Sequence, residues 1–408
     1  MLTLLFACAT DTGPSEDVGQ EQLPGDTSPD SASPDSGDTG ESGDTSEDTA
    51  ACGDVVPDEG AFAALFDASV LHTTTITMSE DARAALAAAP DSWAPASLTL
   101  DGAELASIGV KWRGDSAAMR WDGKPSWSIG FRKGEACDTL GGMERITLDA
   151  MTDDPVQGRI VVEMLLLQAL GRLVPRAAFS TLTVDGEPFG LYALAEYVDA
   201  NFTTNHLGSW AGVVWKGGSG ADFTTAGLAA WDDANGAGDP ARLAAVAEIV
   251  QGAGDTFYAD LGSVLSTPDL AAHWAALAAV GDEGTFPYET DDANLLVPDV
   301  GQILLVPDPP ESGWSETFDW RHVDSALGVR CVYDEACSAA ITDALASAAA
   351  ALSLADGGAV AEGAFAVSAA AMADDPRRSS TVGAVSASRA ALSATIAAWP
   401  TTLAASVP

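Results

Sequence analysis

Beyond residue 70 the chain places its strand-like runs first and its Ala-rich helical stretches last, and this order constrains the fold more than any other feature. Short β-rich segments alternate with turns: H-T-T-T-I-T-M from His72, A-S-L-T-L from Ala96, A-S-I-G-V-K-W from Ala106 and S-W-S-I-G-F from Ser126. With a tight turn at Asp101-Gly102, the pattern predicts an antiparallel sheet. A helix interrupts it from Ser79, a capping residue followed by strong helix formers. A second hairpin is expected around Asp185-Gly186, with the G-V-V-W-K-G run from Gly212 as its next partner. Beyond Asp222 the composition turns helical, broken by I-L-L-V-P at Ile303 and ending in helices near 336–351 and 382–398. Strands followed by helices argue for an α+β fold rather than alternating βα units.

Between these halves the periodicity predicts a central helix over 155–170, with Asp154 as N-cap, Pro155 in its first turn and Gly171 as its stop. Its apolar residues wrap nearly all round, so it is expected to be buried.

Residues 9–51 contain no Lys, Arg or aromatic side chain and hold twelve acids, which leaves 48 acids against 18 bases, a net of −30, on residues 52–408. A segment of that composition buries too little apolar surface to offset its ordering entropy, so it reads as a disordered acidic linker. So acidic a chain is a poor partner for nucleic acid. Residues 1–8, M-L-T-L-L-F-A-C, read as the remnant of a lipoprotein signal with Cys8 as the lipidation site. That reading places the protein at a bacterial cell surface or in the periplasm, lipid-anchored in an outer membrane, with the anchor as its only membrane contact. The four other cysteines suit an oxidising compartment. Cys331 and Cys337 are close enough to close a short loop, and Cys52 and Cys137 remain as a second pair, although four cysteines allow three connectivities. Residues 52–408 are long enough for one large domain or two lobes around a cleft.

Several ordered motifs carry a resemblance. Arg113, Gly114 and Ser116 are followed by Lys124, Ser126, Trp127, Ile129 and Phe131; then come Asp153, Asp154, Pro155 and Arg159; then Gly190, Tyr192, Leu194, Glu196, Val198 and Asp199; then V-W-K-G with Lys216. Over about residues 60–325 this series resembles the CotH kinase family, secreted or surface-attached relatives of protein kinases. The resemblance implies an atypical protein-kinase-like fold, an N-terminal antiparallel sheet lobe with helices and a helix-rich C-terminal half. It implies an extracytoplasmic kinase that moves the γ-phosphoryl of ATP to Ser or Thr of a surface or secreted protein, using Mg²⁺ or Mn²⁺. Lys216 is then the phosphate-binding lysine, with Lys124 and Arg159 as further phosphate or ion-pair candidates. Glu283 falls where the family has its first acid and catalytic base, Asp292 at the amide station and Glu311 at the last acid, with Asp292, Asp308 and Glu311 as the metal set. A second register uses Asp282, Asn294 and Asp308. A Glu for Asp substitution moves a carboxylate by one methylene, and a misplacement of about 1 Å costs on the order of a hundredfold in rate. The rival reading is an inactive kinase-like scaffold or binding module whose acids hold Ca²⁺, since hard oxygen ligands suit either ion.

Overall fold

The computed structural model describes residues 58–114, 119–134, 139–208, 210–234, 238–308, 313–314 and 318–407. The linker, Cys8, Cys52, Cys137 and Glu311 lie outside them.

Helix α1 (Glu59–Leu65) leads into β1 (Leu71–Thr77), α2 (Glu80–Ala88), β2 (Ala94–Leu100), β3 (Ala103–Arg113), β4 (Ser126–Gly130) and β5 (Arg145–Asp149). Ser79 caps α2 through its side chain, as its place before an Ala-rich run predicts. Helix α3 (Arg159–Ala169) and the hairpin β6 (Ala177–Val184) and β7 (Glu187–Glu196) follow. The two turn residues of that hairpin, Asp185 and Gly186, both take positive φ, 51° and 81°. Left-handed conformation is cheap for Gly and tolerable for Asp, which is why this pair marks the turn.

The predicted antiparallel sheet is in fact a closed barrel in the order β1-β2-β3-β4-β5-β7-β6. Closure comes from a parallel pairing of β1 with β6, Leu71 opposite Phe179 through Ile76 opposite Val184. Local turn signals reveal hairpins, whereas this pairing joins residues more than a hundred positions apart. The barrel interior is apolar: Trp112, Trp127, Phe189 and Tyr192 pack with Ile108, Ile129, Ile146 and Leu194. Fully burying a side chain of Leu or Phe size stabilises by roughly 1.5–3 kcal/mol, so this interior is a main source of stability for the strand-rich half.

Helix α3 begins four residues later than the sequence predicts. Asp154 still serves its start, accepting from Val156 N (2.9 Å), Gly158 N (2.6 Å) and Arg159 N (2.8 Å). It does so across a turn in which Gln157 has φ 45°, so Pro155 lies outside the helix. Gly171, at φ 74°, lies just past the helix end, where its stop was expected.

Helix α4 (Ala200–Leu207) connects to a second sheet: β8 (Gly212–Gly217), β9 (Trp231–Asp233) and, after α5 (Ala241–Gln251), α6 (Phe257–Leu261) and α7 (Thr267–Ala279), β10 (Ala293–Pro298) and β11 (Leu304–Pro307). The order is β11-β10-β8-β9, so the V-W-K-G strand pairs with β10 and β9 and not with the β6–β7 hairpin. Four helices finish the chain: α8 (Ala326–Tyr333), α9 (Glu335–Ala355), α10 (Gly357–Asp374) and α11 (Val382–Ser406). Among the described residues the fold is thus mixed α+β, with the helices concentrated after residue 240. Helix α9 is long and apolar enough to cross a membrane, yet Cys337, Ile341, Leu345, Ala349 and Leu352 belong to the same buried core as Trp274 of α7 and Ile396 of α11. Cys331 and Cys337 form the expected disulfide between α8 and α9.

The C-terminal helices grip the barrel. Asp375, in the α10–α11 loop, accepts from Lys124 Nζ (2.8 Å), Leu191 N (3.0 Å) and Arg377 N (2.8 Å). Arg377 donates to the carbonyls of Trp121 and Gly123 and stacks 3.5 Å above the Phe189 ring. Arg389 of α11 donates to Val156 O, Gln157 O and Phe365 O, fixing the turn that starts α3.

Candidate functional site

Strand alternation places the chemistry of the second sheet on one face. Lys216 of β8 lies opposite Asp232 on one side and Asn294 on the other, and Asn294 lies opposite Val306. Side chains two apart share a face, so Asp308 follows Val306 onto the face of Lys216 and Asn294. Asn294, 2% exposed, donates its amide N–H to Asp308 Oδ1 at 2.8 Å. Asp292 precedes Ala293, whose partner is Pro307, so Asp292 and Asp308 lie at the same end of the β10–β11 pair. Lys216 Nζ lies 3.5 Å from the centre of the Tyr197 ring, which follows β7 of the barrel. The Gly217–Gly220 stretch is a turn: the N–H groups of Gly218, Gly220 and Ala221 donate to Ala230 O, Thr290 O and Gly218 O.

A second polar group gathers at the start of α3. Arg159 Nη1 donates to Gly313 O at 2.8 Å, tying the helix to the segment that follows Asp308. One turn further on, Glu163 is fully buried and neither carboxyl oxygen has a hydrogen-bond partner. Burial pushes its pKa well above the ordinary carboxylate value of 4.5; Arg159 opposes the shift, and the nearby Asp282 and Asp154 add to it. The folded carboxyl keeps its proton at pH values where the unfolded chain has lost it. Its contribution to stability is therefore complete below 4.5 and is lost as pH rises through the folded value. Glu163→Gln, a neutral isostere, is expected to flatten that decline and to unfold at a higher temperature than wild type at pH about 8. Thermal unfolding midpoints from pH about 5 to about 8 check it, and parallel curves for the two proteins would refute it.

The sequence candidates separate into those brought together and those held elsewhere. Lys216, Asp292, Asn294 and Asp308 assemble on and beside one sheet face. Arg159 lies at Gly313, and Asp282 is buried, accepting from Gly284 N (3.0 Å) and Thr285 Oγ1 (2.5 Å). Glu283 is half-buried, with Oε1 accepting from Asp319 N at 3.3 Å. Lys124, proposed for nucleotide contact, has its ammonium in the buried pair with Asp375 at the barrel–helix junction. Sequence reasoning passed over Glu163, whose place four residues after Arg159 on an otherwise apolar helix was the available signal. It also missed Tyr197, which no local motif distinguishes from a surface residue.

The donor set fits Mg²⁺. Asp308 and Asp292 bring two carboxylates, oxygen donors of the kind Mg²⁺ takes, to one end of the β10–β11 pair, on the sheet face that carries Lys216. Among the described residues no group of three or more His, Cys, Asp or Glu forms a ready-made cation site. Mg²⁺ needs none, since it retains waters and takes one or two carboxylates together with substrate phosphates.

No curated protein matches the chain significantly. Residues 110–268 match the family model described as CotH kinase protein. That stretch runs from β3 into α7 and includes Arg159, Glu163 and Lys216, while the acids from Asp282 onward lie beyond it. It is narrower than the span the motifs suggested, but it holds each of the ordered motifs that carry the likeness, and over that stretch the chain is similar to the CotH kinase family.

Proposed function

We propose that the protein is a kinase-like phosphotransferase that moves the γ-phosphoryl of ATP to a Ser or Thr hydroxyl of a protein at the bacterial surface or in the periplasm, held there by lipid on Cys8. The observation that carries this reading is the shared face of Lys216, Asn294 and Asp308, with the amide of Asn294 orienting the Asp308 carboxylate. A lysine there neutralises phosphate oxygens, and a carboxylate whose rotamer is fixed by an amide is prepared for a metal. A kinase-like arrangement then sets the barrel on one side of the nucleotide and the β8–β10–β11 layer on the other.

In this scheme the hydroxyl oxygen bonds to the γ-phosphorus and the bond to the β–γ bridging oxygen breaks, releasing ADP. The hydroxyl proton passes to Glu283, which is more exposed than the buried Asp282. Mg²⁺, when bound by Asp308 and Asp292, draws charge from the phosphate oxygens. Arg159 holds the segment after Asp308 in place through Gly313.

The test is incorporation of labelled phosphate from ATP into a generic Ser/Thr protein with Mg²⁺ or Mn²⁺. Wild type is expected to label the substrate and Lys216→Met to fall by at least about tenfold with an unchanged fold. No transfer by wild type, together with thermal stabilisation by Ca²⁺ alone, would replace the enzyme with a calcium-holding binding module.

A further inference from the structure

The turn that opens α3 is held in an unfavourable shape. Gln157 takes φ 45°, a left-handed conformation that a residue other than Gly keeps only where its surroundings impose it. The residue is 1% exposed, and its Oε1 has no hydrogen-bond partner. Gly158 follows because no side chain fits: a Cβ would come within 2.6 Å of the Phe179 ring and 3.2 Å of the Phe365 ring. A main chain this costly persists where the structure around it over-determines it, as at sites that need a fixed geometry.

Arg389 of α11 supplies that constraint from 233 residues beyond Val156. Its Nε–H donates to Val156 O at 2.8 Å and its Nη2–H to Gln157 O at 2.7 Å, while Nη1–H donates to Phe365 O of α10 at 3.2 Å. The guanidinium carbon lies 4.8 Å from the centre of the Phe365 ring, and the residue is 5% exposed. Burial lowers its pKa to about 10, a shift that Asp154 opposes, so the group is charged at neutral pH. Asp154 holds the same turn by its N–H groups, accepting from Val156, Gly158 and Arg159. The carbonyls of the turn are thus taken by Arg389 and its amides by Asp154. A planar fork of fixed donors suits two successive carbonyls as a single ammonium does not.

This turn delivers Arg159, the first residue of α3, whose Nη1 donates to Gly313 O and ties the helix to the segment after Asp308. Gly313 in turn lies against Glu163: a Cβ there would come within 2.6 Å of Glu163 Oε1 and 3.4 Å of Arg159 Nη1. The approach of Arg159 to Gly313 is therefore set by the turn, and the turn by Arg389. Helices α10 and α11 both lie beyond the matched stretch 110–268.

We infer that Arg389 is a positioning residue of the candidate site: by clamping the carbonyls of Val156 and Gln157 it aims Arg159 at Gly313 and so fixes the segment that follows Asp308. The inference rests on the phosphotransfer reading for the chemistry this geometry serves. Its consequence is that the C-terminal helices belong to the working unit, although none of the motifs that carry the likeness lies in them.

The test compares full-length Arg389→Ala, Arg389→Lys and Leu392→Ala proteins. Leu392→Ala loosens the packing of the same helix while leaving the guanidinium in place. At a temperature where all are folded, phosphate transfer at saturating ATP and Mg²⁺ is expected to fall about ten- to a hundredfold in both Arg389 variants, as a small misplacement of a positioned group does. It is expected to stay near wild type in Leu392→Ala. Millimolar guanidinium chloride should restore part of the Arg389→Ala rate, and sodium chloride at equal concentration should not. Hydrogen exchange over residues 154–160 should quicken in Arg389→Ala and slow again with guanidinium. Arg389→Lys keeps the charge and the stem, so its rate decides the matter where Arg389→Ala does not fold. A wild-type rate in either folded Arg389 variant would overturn the inference, as would equal losses in Arg389→Ala and Leu392→Ala without guanidinium rescue. Absence of transfer by wild type would remove the kinase reading alone if exchange at the turn still responds to Arg389→Ala and to guanidinium. Unchanged exchange would remove the clamp as well.

Discussion

Asp375→Asn is expected to destabilise the protein by about 3–5 kcal/mol, because it leaves the Lys124 ammonium buried without its counter-charge. Both members of this pair are inaccessible, at 4% and 0% side-chain exposure. Burial already lowers the Lys124 pKa from the ordinary lysine value, and the attraction of Asp375 is what opposes that shift. Asp375 also accepts two backbone N–H groups, so the change disturbs the packing of the α10–α11 loop on the barrel. Gly190, at φ +105°, leaves no room for compensation: a Cβ there would lie 2.0 Å from an Asp375 oxygen. Urea unfolding of Asp375→Asn, Lys124→Met and the double variant measures the pair. The double variant is expected to be more stable than Asp375→Asn alone, since removing the orphaned charge removes most of the penalty. Equal stabilities of the two would show that the ammonium had escaped to solvent.

Asp308→Asn is expected to lower phosphate transfer by about a thousandfold, corresponding to about 4 kcal/mol of lost transition-state stabilisation, while the unfolding midpoint stays close to wild type. The carboxylate is half-exposed and at a strand end, so its replacement opens no cavity, and an asparagine can still accept from the Asn294 amide. What disappears is the negative charge opposite a metal-bound phosphate. Asn294→Ala should cost less, about 10–100-fold, as expected for a residue that orients a ligand rather than supplying one. Labelled-phosphate assays at saturating Mg²⁺ with both variants compare the two. Undiminished transfer by Asp308→Asn would move the metal role elsewhere in the chain.

The fold was legible where local chemistry dictates local structure. Asp185-Gly186 announced its hairpin, Ser79 its helix, and the short spacing of Cys331 and Cys337 their bridge. Legibility failed where distant segments decide. Nothing near V-W-K-G reveals that its neighbours are β10 and β9, because a buried strand with apolar residues on both faces can pair with any complementary edge. The start of α3 was misread because Asp154 caps across an extra turn that Arg389, more than two hundred residues away, holds in place. In the site, motif order singled out Lys216 and Arg159 as candidates. It left Asp292 and Asn294 both open at the amide station, and what local pattern could not give is the register that sets Asn294 opposite Lys216.

The parallel seam between β1 and β6 has a practical consequence. β1, β2 and the first residues of β3 precede the matched stretch 110–268, so that stretch excised alone would lack two barrel strands and leave β6 and β3 with open edges. Exposed edges of apolar strands invite intermolecular pairing and aggregation. Expression of this protein for crystallisation or enzymology therefore has to begin upstream of Leu71, however compact the recognisable segment looks on paper.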